Sequence, residues 1–177
     1  MIELKTAQEL ELMRRSGRIV AGLLAHLAGL VRPGMKTAEL DQAARAYLRS
    51  AGAAPAFLGY RGYPALICVS VNEEVVHGIP GERRIRDGDL VSIDAGASIC
   101  GFYADAATTV MVGSVSPQAR RLVETTQEAL AEGIAHAEVG RRLSDISHAV
   151  QRRVERDGFG IVREFVGHGI GRAMHED

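Results

Sequence analysis

The stretch "DLVSIDAGASICGFYADAATT", residues 89–109, predicts two β-strands, because it is rich in strand-forming residues. Gly96 and Gly101 lie in its middle and allow the strands to fold back as an antiparallel pair. Asp94 and Asp105 lie inside the strand-like runs rather than in a turn, where aspartates are more common. The alternation of side chains along a strand predicts two sets that each share a face: Ser92, Asp94 and Gly96, and Tyr103, Asp105 and Ala107.

The two aspartates are the first indication of chemistry. Two carboxylates brought together on a partly buried surface repel each other. A cation between them would offset that repulsion, or one of them would take up a proton. The alternative is that both lie on edge strands and reach water.

A histidine in a glycine-rich segment extends this set. His168 lies in "GHGIG", residues 167–171, where glycines permit close backbone approach and allow an imidazole to point into a cavity. Two carboxylates and one imidazole suit Mn, Fe, Co or Zn better than calcium. His77 and His175 are also predicted in loops or at strand ends, so the residues alone indicate a metal-dependent hydrolase. The remaining histidines lie in helical stretches and are interpreted as packing or surface residues: His26, His136 and His148.

Helical periodicity flanks the strand-rich region on both sides. Thr6 and Glu9 have the spacing of a capping box, and apolar residues then recur at helical intervals up to "RPG", residues 32–34. The predicted starts of the further helices are Thr37, Pro117 and Ser144, and the last helix ends near Asp157 and Gly158. No stretch resembles an interdomain linker, so we predict one α+β domain over residues 1–177.

Composition excludes several classes of protein. Hydrophobic residues at 46% and charged residues at 24% are typical of a soluble globular chain. A net charge of -1 gives no basic surface for nucleic acid or an anionic membrane. The apolar run 19–31 is too short to cross a bilayer and is better explained by an amphipathic helix. Cys68 and Cys100 are expected to be reduced thiols, and we expect a cytoplasmic protein.

Three long segments carry a family resemblance. They are "GYPALICVSVNEEVVHGIP" (62–80), "DLVSIDAGASICGFYADAATT" (89–109) and "FVGHGIGRAMHED" (165–177). In order and spacing they resemble the type I methionine aminopeptidases, in the bacterial form. The resemblance implies a pita-bread fold, with two pseudo-symmetric α/β halves around two divalent metal ions, which would be Co, Mn, Fe or Zn.

The resemblance also implies roles for individual residues. Asp94 would chelate one metal, Asp105 would bridge both, and His168 would bind the other. His77 would contact the substrate near the scissile amide nitrogen, and His175 would stabilise the oxyanion formed when a metal-activated bridging water attacks the scissile carbonyl. The residues that match the family's methionine pocket are Tyr60, Tyr63, Cys68 and Met174.

One departure from the family concerns the metal ligands. The family uses five protein ligands, and its last two are glutamates at positions beyond Asp177; neither Glu164 nor Glu176 matches them. One of these glutamates would also be the general base. The sequence therefore predicts a C-terminally truncated catalytic domain, with an incomplete second half and little or no activity of its own.

The implied reaction is removal of the N-terminal methionine from nascent proteins with a small second residue. The implied partner is thus a nascent polypeptide, met at the ribosome, and the full-length protein would be a monomer. We expect no nucleic-acid or membrane partner. Two alternatives stay open: a proline-directed peptidase of the same fold, and a non-catalytic pita-bread binding module.

Overall fold

The computed structural model describes residues 2–177. Contacts between residues divide the chain into two units, Met1–Val115 with His168–Asp177, and Ser116–Gly167. Each is described by itself below. The expectation of one catalytic domain over the whole chain stays a prediction.

A β-hairpin is the centre of the first unit. Strands β1 and β2 comprise Ala54–Pro55 and Ile67–Val71, and the hairpin consists of β3 (Leu90–Ile99) and β4 (Phe102–Met111). Strands β3 and β4 are antiparallel and are joined by Cys100 and Gly101, with φ of 50° and 80°. Positive φ at both central residues is the geometry of a type I′ hairpin turn. The predicted antiparallel pair is confirmed.

Strand β3 is the middle strand of a four-stranded sheet. Strand β4 pairs along one of its edges, and β2 and the short β1 pair with separate parts of the other edge, both antiparallel. Asp94 is therefore flanked by Cys68 on one side and by Ala107 on the other.

Two helices cover one face of this sheet. Helix α1 spans Ala7–Leu30 and helix α2 spans Thr37–Ser50. The predicted capping box is confirmed, because the Thr6 side chain accepts from the Glu9 backbone and the Glu9 carboxylate accepts from the Thr6 N–H. The main core is formed by the apolar stripes of both helices and by alternate residues of β3: Val20, Leu23, Leu27, Leu40, Leu48, Val91, Ile93, Ala95 and Ala97. Since these strand residues face the helices, the residues between them, including Asp94, lie on the opposite face.

The second unit contains two packed helices. Helix α3 spans Pro117–Ala135, with Ser116 as its N-cap, and helix α4 spans Leu143–Arg156. The predicted cap at Ser144 is wrong: Arg142 is the N-cap, because the Asp145 carboxylate accepts from its backbone N–H at 2.9 Å and starts the helix earlier. The predicted end is confirmed, since Asp157 is the C-cap.

Among residues 2–177, no helix combines the length and the apolar character needed to span a membrane.

Candidate active site

The open face of the hairpin carries both aspartates. Asp94 lies opposite Ala107 and Asp105 lies opposite Gly96, so the two carboxyl groups are diagonal neighbours on one face, as predicted. Burial, together with the charge and hydrogen bonding of Asp105, raises the pKa of Asp94 from an ordinary 3.8 to about 7. The alternative of two water-facing aspartates is wrong for Asp94, whose charged form is destabilised by its surroundings.

His168 approaches this pair from the C-terminal loop. Its Nε2 lies 3.8 Å from Asp105 Oδ2, and its Nδ1 lies 2.9 Å from the carbonyl oxygen of Gly169. A carbonyl oxygen only accepts, so Nδ1 must be the protonated nitrogen that donates to it. In the neutral ring, Nε2 then carries the lone pair and faces Asp105, which is the orientation of a metal-ligating imidazole.

His175 lies beside His168. Their ring centroids are 4.1 Å apart, and His175 stacks on Tyr60 with a centroid distance of 5.3 Å. The Tyr60 hydroxyl lies 2.9 Å from His175 Nδ1. Burial lowers the pKa of His175 below its ordinary 6.5, and the charge of His168 lowers it further. Both effects favour the neutral form of the His175 imidazole.

His77 reaches the same region through a strained backbone. It adopts a φ of 62°, uncommon for a residue with a side chain. It is near enough to His175 that its charge also lowers the pKa of that ring. The next residue, Gly78, accepts a hydrogen bond from Val69 N, and a Cβ there would lie 2.3 Å from the Val69 carbonyl oxygen. Only glycine fits this contact, which holds the residue after His77 against Val69, in the middle of β2.

The predicted pocket residues come together. The cluster has four buried members and three partly buried tyrosines: Ala56, Phe57, Cys68, Met174, Tyr60, Tyr63 and Tyr103. All four residues assigned to the methionine pocket belong to it. Burial raises the pKa of the Cys68 thiol to about 11, so it is neutral at pH 7 and contributes an apolar sulfur rather than a nucleophile.

Sequence reasoning missed Phe57 and Tyr103. Phe57 packs edge-on to Tyr63 with a centroid distance of 6.5 Å. A Cβ on Gly96 would lie 2.8 Å from the Phe57 ring and 2.8 Å from Ala56 Cβ. A glycine inside a strand is a signal of such close approach, and it could have indicated that a bulky group covers β3 at this point.

The side chains of Asp94, Asp105 and His168 can be compared with the ligands that a divalent cation prefers. Among residues 2–177, no three histidine, cysteine, aspartate or glutamate side chains lie close enough together to hold a metal ion. Two pairs of donors do approach each other, Asp94 with Asp105 and Asp105 with His168. Repelling carboxylates beside an imidazole lone pair are stabilised by a cation of the Mn, Fe, Co or Zn type, so these residues fit the predicted metal.

Comparison with known proteins defines the class. The sequence profile of metallopeptidase family M24 matches residues 11–177. The chain therefore belongs to metallopeptidase family M24. Within that family it is similar to methionine aminopeptidase 1 of Bacillus subtilis, with 50% identity over 100% of this chain and 71% of that protein. It is also similar to methionine aminopeptidase 1 of Mycobacterium tuberculosis, with 47% identity over 98% of this chain and 68% of that protein.

Solved structures place the fold in the same family. Methionine aminopeptidase from Thermotoga maritima matches with a TM-score of 0.98 and 42% identity, covering 100% of this chain and 72% of that chain. Prolidase from Pyrococcus furiosus matches with a TM-score of 0.85 and 24% identity, covering 98% of this chain and 50% of that chain, which shows a shared fold alone. The predicted pita-bread fold is confirmed, and the proline-directed alternative is not favoured.

Proposed function

We propose that Asp94, Asp105 and His168 hold divalent metal ions with which the protein removes the N-terminal methionine of polypeptides. The observation that carries this proposal is the convergence of these three donors with His175 beside a closed apolar cluster. Metallopeptidase chemistry and methionine aminopeptidase relatives support the reaction class.

Bound divalent metal ions supply Lewis-acid polarisation of a carbonyl oxygen and a water nucleophile that is active at neutral pH. Two such ions would be held by Asp94, Asp105 and His168, and Asp105 approaches both of the other donors. Cobalt, manganese, iron and zinc all accept this mixture of oxygen and nitrogen donors.

His175 is placed to stabilise charge on the substrate. A Tyr60 hydroxyl that donates to Nδ1 leaves the ring proton on Nε2, where it can be donated to a developing oxyanion. The charge of His77 affects the pKa of His175, so the two rings are close, and we assign His77 the contact with the scissile amide nitrogen of the substrate. Stacking on Tyr60 holds the His175 ring against rotation.

The apolar cluster is suited to a methionine side chain. Cys68 and Met174 offer polarisable sulfur, and Phe57 and Tyr63 offer aromatic rings against which a thioether packs favourably. The Tyr63 hydroxyl is bonded to the carbonyl oxygens of Ile67 and Gly78, at 3.1 and 3.0 Å. That ring therefore presents its apolar part to the pocket, which favours an unbranched, uncharged substrate side chain.

The cellular setting follows from the substrate. N-terminal methionine belongs to nascent polypeptides, so we place the protein in the cytoplasm, in reach of the ribosome and as a monomer at full length. The two free cysteines, Cys68 and Cys100, suit a reducing compartment.

The metal site is tested by Co²⁺ titration followed by visible absorption. The matched pair is Asp105→Asn and Glu73→Gln, because both remove one carboxylate charge and Glu73 lies exposed on a loop. We expect cobalt bands from the unsubstituted protein and from Glu73→Gln, and none from Asp105→Asn. Equal cobalt binding by all three would contradict the assignment.

The reaction is tested with the peptide Met-Ala-Ser, with added Mn²⁺, Fe²⁺ or Co²⁺ and with a chelated control. Metal-dependent methionine release supports the proposed function. The expectation of little or no turnover by the 177-residue chain stays a prediction that this assay decides. Because cobalt binding is measured separately, a slow reaction is distinguishable from a missing metal site.

A further inference from the structure

The loop that carries His168 and His175 is closed by its own backbone. Gly169 N donates to the carbonyl oxygen of Glu176 at 2.9 Å, and Glu176 N donates to that of Gly169 at 2.8 Å. Each histidine immediately precedes one member of this bonded pair. The separation and orientation of the two rings therefore depend on how the pair is held.

A single carboxylate organises the closed loop. Glu176 Oε1 accepts from the backbone N–H groups of Arg172 and Ala173, at 2.6 and 3.1 Å. Glu176 Oε2 accepts from the ammonium group of Lys5 at 2.6 Å. The carboxylate thus joins the turn at residues 172–173 to the chain just before helix α1.

Lys5 is enclosed at this position. Its side chain is 9% exposed and that of Glu176 is 20% exposed. The ammonium group also donates to the carbonyl oxygen of Glu3 at 2.7 Å. A Cβ on Gly171 would lie 2.3 Å from Lys5 Cε and 2.8 Å from Glu176 Oε1, so the lysine stem packs directly on the loop backbone, and a larger residue there would displace the ends of both side chains.

Other contacts hold the loop less specifically. Arg172 pairs with Glu3 at 2.6 Å and with Glu9; the Arg172 side chain is 45% exposed, and those of Glu3 and Glu9 are 63% and 18% exposed, so the cation of both pairs reaches water. Exposed ion pairs contribute little because water and salt screen them. Removing one partner of an enclosed pair has a larger effect, because the other charge is left without compensation.

We propose that Lys5 is a positioning residue for the aminopeptidase reaction, which sets the placement of His168 and His175 through Glu176. It belongs neither to the proposed metal ligands nor to the apolar cluster. The inference rests on the proposed roles of the two histidines and extends them to a residue 171 positions from its partner in the sequence.

The test compares Lys5→Met with Lys36→Met in the metal-free protein. Lys36 forms an ion pair of the same length with Glu82, 2.6 Å, but their side chains are 34% and 84% exposed. The first measurement is amide hydrogen exchange at Gly169 and Glu176, and the second is the NMR position of the His168 and His175 ring nitrogens at one fixed pH. We expect exchange at both amides to be about tenfold faster in Lys5→Met, with shifted ring signals, and neither change in Lys36→Met.

A third variant separates positioning from general stability. Lys5→Arg keeps the charge, and we expect it to restore part of the exchange protection and the ring signals. If Lys5→Met lowers the unfolding midpoint but leaves the ring signals and both amides unchanged, the proposal is overturned. If Lys5→Met does not fold, the ring signals of Lys5→Arg are used instead. Signals equal to those of Lys36→Met would support positioning by charge. Signals of disordered histidines would overturn the proposal. None of these measurements needs turnover, so failure of the proposed function would show separately.

Discussion

Two enclosed charged groups, one in each unit, have opposite surroundings. In the second unit, Arg153 is 6% exposed and lies among three carboxylates, those of Glu128, Glu132 and Asp157. In the first unit, the group next to the Asp94 carboxyl is another carboxylate, Asp105, and the pKa of Asp94 is raised to about 7. A buried charge with compensating partners is a structural feature, whereas a buried carboxyl group that lies beside another carboxylate is typical of functional sites and suits the cation proposed above.

Replacement of the compensated charge should have the largest effect on stability. Arg153→Met leaves three carboxylates facing one another between helices α3 and α4. We expect the unfolding midpoint of residues 116–167, followed by their amide NMR signals, to fall by on the order of 10 °C. Arg156→Met is the control, since the Arg156 side chain is 65% exposed. Equal midpoints in the two variants would show that the cluster around Arg153 does not hold the helices together.

Replacement of the uncompensated Asp94 carboxylate should have the opposite effect and stabilise the folded protein at pH 8. The pKa of Asp94 is about 7 in the folded protein and has an ordinary value of 3.8. Because the folded state holds this proton more tightly, the contribution of Asp94 to stability is fully present below about pH 4 and is lost as the pH rises through about 7. In the metal-free protein, Asp94→Asn should remove that fall and raise the free energy of unfolding at pH 8 by up to a few kcal/mol, roughly.

Denaturant titrations between pH 4 and pH 8 check this expectation, with Glu73→Gln as the matched loss of an exposed carboxylate. Added Co²⁺ should reverse the order at pH 8, because the carboxylate then binds a cation and the amide does not. An unchanged pH dependence in Asp94→Asn would mean that the aspartate pair is not under electrostatic strain.

A further comparison between the two units uses two glycines whose neighbours are equally close. A Cβ on Gly96 would lie 2.8 Å from Phe57 and from Ala56 Cβ, and a Cβ on Gly133 would lie 2.8 Å from Val150 Cγ2. Gly96→Ala should cost about 1–3 kcal/mol and move the Phe57 ring signals, because neither neighbour can yield without disturbing the pocket. Gly133→Ala should cost less, since a helix gains about 1 kcal/mol from alanine and the valine methyl can shift. Thermal unfolding and the Phe57 signals measure both, and equal costs would contradict this difference.

The parts that the sequence predicted correctly depend on local patterns. The hairpin follows from strand-forming residues around Cys100 and Gly101, and the start of α1 follows from Thr6 and Glu9, which are three positions apart. The assigned donors and pocket residues lie near one another, as the family resemblance implies, and their roles stay predictions.

The parts that the sequence did not predict depend on contacts between distant segments. Phe57 enters the pocket because Gly96 leaves room for it, and Lys5 meets Glu176 across 171 positions. The wrong cap at Ser144 has a local cause: Asp145 competes as the capping side chain by accepting from Arg142 N. Asp145 is the third residue of the helix and its carboxylate accepts from the N-cap backbone, so the N-cap lies three residues before it and not at Ser144.

The smallest expected effect on stability comes from removing one hydroxyl group, and each unit contains a hydroxyl group suited to this comparison. In the second unit, the buried Thr125 hydroxyl donates to Asp157 at 2.7 Å, and in the first, the Tyr60 hydroxyl lies 2.9 Å from His175 Nδ1. Thr125→Val should lower the unfolding midpoint, because it removes a bond to a carboxylate in a buried network. Tyr60→Phe should change the free energy of unfolding by less than about 0.5 kcal/mol, because its bond is exposed and the ring still stacks.

Tyr60→Phe should instead act on the His175 ring. Without the hydroxyl, Nδ1 loses the partner that keeps the proton on Nε2, so the two neutral tautomers approach equal population. The ring-nitrogen NMR signals of His175 should move toward each other in Tyr60→Phe and stay unchanged in Thr125→Val. A lower midpoint with unmoved His175 signals would make the Tyr60 contact structural, like that of Thr125, and would remove the main support for His175 as an oriented donor.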